Sequence, residues 1–331
     1  MAQELQANTL KRIGMTEAFL MGGLSIVLYI LFTLFVKTDA AHIVSTIAFS
    51  LAFLVNYPHF MASYYILYKE NRHKLLSSVR YIWASILVPL ILLALLLVAH
   101  LQSNISLLGL IVNVMFFTVG WHYVKQIFGC LVVSNIFKTF FYNAFERNVI
   151  LTNLYILWCI AWIPANLYGT TFTFYGLTYT GLNITQYLHT ALLFVGIHTV
   201  PAMIGKLITF TLMTALLVAG ILAFVSIYLW YVPLFSHPAY YYVIPFLHSL
   251  QYLALVRIYK INKDTSEASL SGSDAQEKAT LSLLRFSLFT VVAGALLFWF
   301  VPHYVDMHVS THTFTAQAFL ISFLLFINIH H

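Results

Sequence analysis

Ten stretches of about 20 predominantly apolar residues, joined by short polar segments, dominate this chain and constrain its fold more than any other feature. They span residues 17–36, 42–67, 81–101, 105–136, 149–168, 187–205, 207–232, 238–258, 284–302 and 314–331. In hydrocarbon every backbone N–H and C=O must be satisfied internally, so segments of this kind cross as helices. Of the 331 residues 61% are hydrophobic and only 8% charged, where a soluble domain carries roughly 25% charge. The expected fold is therefore all-α: a polytopic integral membrane bundle of about ten transmembrane helices, forming a single domain over 1–331. No small-residue cleavage site follows the first span, which reads as an uncleaved helix.

Orientation follows from the basic residues. With both termini cytoplasmic, 14 of the 16 Lys and Arg fall on the cytoplasmic side, leaving Lys37 outside and Lys125 within a span. The net charge of +6 thus reports topology rather than nucleic-acid binding, because the basic residues are scattered and form no phosphate-binding face. The one long polar stretch, 259–283, reads as a flexible cytoplasmic loop, and the Tyr-rich external segment 169–186 as an interfacial cap. Cys130 and Cys159 lie in apolar segments and provide no disulfide framework. The expected location is a bacterial inner membrane.

Fourteen histidines stand out in a chain this apolar. Seven of them (His42, His100, His189, His237, His303, His308 and His312) fall at external helix ends or loops, where a wet imidazole is the simplest reading, and His73 lies in a cytoplasmic loop. The rest follow a pattern. Each even-numbered span runs inward and carries histidine in its cytoplasmic half: His59, His122, His198, His248, and the pair His330 and His331. Ionisable groups at such depth are expensive and tend to be functional. Polar neighbours accompany them at helical spacing: Asn56 three residues before His59, Lys125 and Gln126 after His122, Gln251 and Tyr252 after His248. Pro58, Pro201 and Pro245 lie within three residues of His59, His198 and His248, where each frees a backbone carbonyl one turn back.

All ten carboxylates lie at helix ends or in loops, which argues against a ferritin-type carboxylate site and leaves Lys125 without a counter-ion. An all-imidazole set suits Fe, Zn or Cu. In chemistry it resembles the His-rich iron centres of membrane oxygenases, desaturases and hydroxylases, although their HxxHH and HxxxH boxes are absent. The expectation is a membrane-embedded, metal-dependent oxidoreductase, iron first and Zn, Cu or haem as alternatives, acting on a membrane lipid or isoprenoid. An electron-donor protein at the cytoplasmic face would be its partner. His59, His122, His198, His248, His330 and His331 are the expected ligands; Asn56, Gln126 and Gln251 orient them; Lys125 and Tyr252 are the catalytic candidates. The alternatives are a transporter or channel moving protons or metal ions through the same histidines, and a non-covalent haem-binding electron-transfer membrane protein.

Overall fold

The computed structural model describes residues 13–136, 140–166, 168–185, 218–232, 237–270, 275–309 and 317–331. These residues are 84% helical. Helix α1 covers Met15–Phe35 and α2 covers Ala41–Tyr64, running on through a π-helical turn at Tyr65–Glu70. Next come α3 (Val79–Leu101), α4 (Ile105–Ile136) and α5 (Ala144–Trp162). Helix α6 is Val218–Tyr231, α7 the single turn Pro238–Tyr241, and α8 Ile244–Leu270. Helix α9 (Ala275–Ala295) passes through a π turn at Leu296–Phe300 into α10 (Val301–His308), and α11 is Ala318–His330.

Four described helices are long and apolar enough to cross a membrane, and a fifth is added if the bent α2 counts as one span. The remaining described helices fall short in length or apolarity, and the sixth expected span lies outside the described residues. Helix α2 bends by 45° between Leu51 and Leu54, one turn before Pro58. Proline there removes the hydrogen bond back to that turn and clashes with its carbonyl, which accounts for the kink. Pro245 does the same at the α7–α8 junction, where the helix opens at Tyr242–Val243 just before His248.

Two helix groups meet along α8. One is α2, α8 and α9; the other is α4 with α1, α5 and α6, and α11 docks on α3 and α4. Small residues set the closest approaches. A Cβ on Gly22 would run into the backbone of Leu222 and Ala223, and one on Gly294 would sit 3.0 Å from the Tyr57 carbonyl. In lipid, where burial supplies little drive between helices, such backbone approach strengthens dispersion contact. Gly129, by contrast, has open space where its Cβ would be.

Two segments differ from the sequence expectation. The external cap contains a β-hairpin, Thr171–Phe174 paired antiparallel with Leu177–Thr180. Tyr175 (φ 48°) and Gly176 (φ 86°) both take left-handed conformations at its tip, the geometry whose twist matches a hairpin. The stretch 259–283, expected as a loop, is helical up to Leu270 and again from Ala275. Ion pairs explain the first half: Lys260 Nζ lies 3.2 Å from Asp264 one turn on and 3.3 Å from Glu70 of α2, and Lys263 reaches Glu70 at 2.8 Å. Burial alone would lower the Lys260 ammonium, but Asp264 and Glu70 raise it above its usual 10.5. Its contribution is therefore complete below that value and lost as pH rises through the higher folded-state value. Arg257 pairs with Glu17 of α1 at 3.0 Å, so α1, α2 and α8 are tied at one lysine-rich end.

Candidate metal centre

Four helices bring four imidazoles to one place. His59 comes from α2, His122 from α4, His248 from the start of α8, and His331 follows the last turn of α11. The rings of His59 and His331 are 4.3 Å apart by centroid, His59 and His248 5.1 Å, His122 and His248 4.9 Å, and His122 and His331 4.9 Å. His59 and His122 lie farthest apart among the measured pairs, at 6.2 Å. His59 and His248 are almost wholly buried, at 1% and 3% exposure.

The local sequence holds each ring from its own direction. The His248 ring stacks on Tyr123 at 3.9 Å with an interplanar angle of 22°. Gln126 donates to the His248 carbonyl and to Gln251 Oε1, both at 2.9 Å, and Gln251 in turn donates to the Met21 carbonyl. This chain of amides crosses α4, α8 and α1, fixing the backbone that carries His248. His331 depends on the placement of α11, whose N-terminal amides at Phe319 and Leu320 donate to Asp306 at 2.8 and 2.9 Å. A carboxylate there satisfies orphan amides and complements the helix dipole, so Asp306 fixes the level of a histidine at the far end of α11.

No described hydrogen-bond partner exists for Nδ1 or Nε2 of His59, His248 and His331, nor for Nε2 of His122. Buried polar atoms left unsatisfied cost about 1–3 kcal/mol each, so seven in one cluster call for a partner such as an ion or water. Ligand atoms of His59, His122 and His331 lie within 4.8 Å of one another. Two imidazole nitrogens bound to one ion at about 2.1 Å can be at most about 4.2 Å apart, so sub-ångström ring movements would bring this trio onto an ion. The group contains no carboxylate or thiolate among the described residues.

The other sequence candidates are distributed unevenly. His330 turns away from its neighbour: Nδ1 meets the Tyr64 hydroxyl at 2.6 Å and Nε2 the Ala84 carbonyl at 2.9 Å, so its hydrogen bonds are already made. The structure brings His331, and not His330, to the cluster. Tyr252 lies edge-on to His59 at 4.4 Å, its hydroxyl accepting from Ser63 at 2.7 Å. Asn56 lies one turn before His59 on α2, its Oδ1 buried and without a described partner. Gln126 and Gln251 act on backbone and on each other rather than on an imidazole nitrogen. Lys125 is directed to the Phe128 ring at 5.9 Å and has no described link to the imidazoles. His198 lies outside the described residues. Asp306 and the Tyr64–His330 pair escaped the sequence reading: a carboxylate capping a helix from a different segment leaves no local spacing signal.

No protein-family model, curated protein or solved structure matches the chain.

Proposed function

We propose that the protein is a membrane-embedded, metal-dependent oxidoreductase in which His59, His122, His248 and His331 hold a transition metal, iron first, close to lipid substrate. The observation that carries this reading is the cluster of seven buried imidazole nitrogens without partners. Ten membrane-crossing helices with both termini cytoplasmic remain the topology favoured by the distribution of Lys and Arg, with a bacterial inner membrane as the setting.

A metal held by neutral imidazoles keeps its full positive charge and supplies redox and Lewis-acid chemistry in a dry site. The chain's own residues do the rest. Tyr123 and the Gln126–Gln251 pair hold His248 in place, Tyr252 and Phe60 wall the His59 side, and Phe60 also packs on His331 at 4.9 Å. The substrate is a lipid or isoprenoid reaching the site from the bilayer, and electrons come from a donor protein at the cytoplasmic face.

Elemental analysis of detergent-purified protein tests the centre directly. About one equivalent of a transition metal is expected, falling below roughly a tenth in His122→Ala. Less than a tenth in the unmodified protein, unchanged by His122→Ala, overturns the reading. Trace metal together with proton or metal-ion flux in proteoliposomes would make the protein a transporter instead.

A further inference from the structure

Beside the imidazole cluster, where α2, the Leu296–Phe300 turn and α11 meet, a cleft of about 420 Å³ opens sideways from the bundle. Its volume falls in the range of roughly 300–1,000 Å³ typical of small-ligand sites. Met61, Tyr65, Leu297, Phe298 and Phe323 line it, and Lys69 stands at one end. The lining residue Phe298 packs on Tyr57 and Phe60, and Phe60 lies 5.4 Å from the His59 ring and 4.9 Å from that of His331. Phe298 and Phe60 thus stand between the cleft and the imidazoles.

Charge is confined to one end. Lys69 is exposed, its ammonium 4.6 Å from the centre of the Tyr65 ring. The adjacent acid, Glu70, is engaged by Lys260 and Lys263 and does not neutralise Lys69. Lys69 is thus the charged residue of the cleft lining, with Arg72 and Lys74 following it in the chain. Met61 and Lys69, the lining residues farthest apart on α2, are eight positions apart, roughly 12 Å along a helix, the reach of an extended chain of about ten carbons.

We propose that the cleft binds a long-chain carboxylate, its head group on Lys69 and its hydrocarbon chain lying along α2 with its distal part at Phe298. The assignment deepens the proposed function by naming the substrate class, and it rests on that reading. A neutral lipid would bury the same apolar surface but gain nothing from Lys69, and this difference is what an experiment can read.

Full-length protein in detergent is titrated with spin-labelled stearic acid and, separately, with the methyl ester of the same probe, following the immobilised fraction by electron paramagnetic resonance. The acid is expected to saturate near one equivalent and to bind more tightly than the ester. Lys69→Glu should weaken the acid roughly tenfold and leave the ester unchanged, with Lys69→Gln falling between. Leu297→Trp, which fills the cleft from an exposed position, should weaken both probes. Equal affinity for acid and ester in the unmodified protein, or an unchanged acid titration in Lys69→Glu, overturns the proposal. Metal content measured on the same samples separates the two readings: probe binding without metal sinks the oxidoreductase and leaves the cleft, and metal without probe binding does the reverse.

Discussion

At one level of the bundle, His100 meets Ser322 at 2.6 Å, His237 the Val36 carbonyl at 3.0 Å, and His303 and His308 carbonyls one turn back, each at 2.8 Å. At the other, the rings of His59, His248 and His331 contact one another and aromatic neighbours, and none of their nitrogens has a described partner. Both sets consist of the same residue in the same apolar chain. The first set has been absorbed by the fold, each ring spent on a local acceptor or donor. The second has been gathered and left unspent, and a buried donor or acceptor left unspent is costly enough to need a purpose. Depth alone does not separate the two kinds of ring, since His330 follows the same helix to the level of the cluster with its bonds already made; hydrogen-bond satisfaction does.

The comparison can be broken most sharply at His248, the ring pinned by Tyr123. Replacing it with Ala should lower metal affinity by more than the roughly 10–100-fold that loss of a ligand's hydrogen-bonding partner costs, while His100→Ala leaves affinity unchanged. Competition with a chromophoric chelator measures both, and equal losses would erase the distinction between the two sets.

A smaller effect is expected at Asp306, which links the two levels by capping α11. Asp306→Ala should cost about 1–2 kcal/mol of stability in a thermal melt. It should also weaken metal binding more than His100→Ala, because the helix that carries His331 loses its anchor. Metal binding unaffected by Asp306→Ala would show that the other bonds of α11, His100 to Ser322 and His330 to Ala84 among them, are enough to seat it.

The smallest effect belongs to His303→Gln. Its ring is half-exposed and bonds only to its own helix, so stability should change by less than about 0.5 kcal/mol and metal content not at all. A clear loss of metal here would mean that the satisfied set takes part in the chemistry.

Much of this arrangement was legible in the sequence. Apolar runs marked the long helices, and histidines in the inward halves of the second, fourth, eighth and tenth spans pointed to His59, His122, His248 and His331. Periodicity could not choose between His330 and His331, because adjacent residues point about 100° apart and only the docking of α11 on α3 and α4 decides which faces inward. The hairpin was overlooked for a different reason: Tyr and Phe at 172–179 suit a membrane interface and a strand equally well, and the Tyr175-Gly176 turn was the only clue to the second. The polar stretch after Arg257 has the composition of a loop, yet its lysines find acids both one turn along and across on α2, and partners supplied by another helix are invisible to local composition.

The four imidazoles also impose an order in time. Helices of a growing chain enter the membrane in sequence, and His59 is in place long before α11 is made. Until α11 arrives and Asp306 seats its first turn, the cluster lacks one of its four walls and α2, α4 and α8 hold unmatched nitrogens facing one another. A chain truncated before α11, or one in which α11 fails to dock, would therefore lack the fourth imidazole of the proposed site.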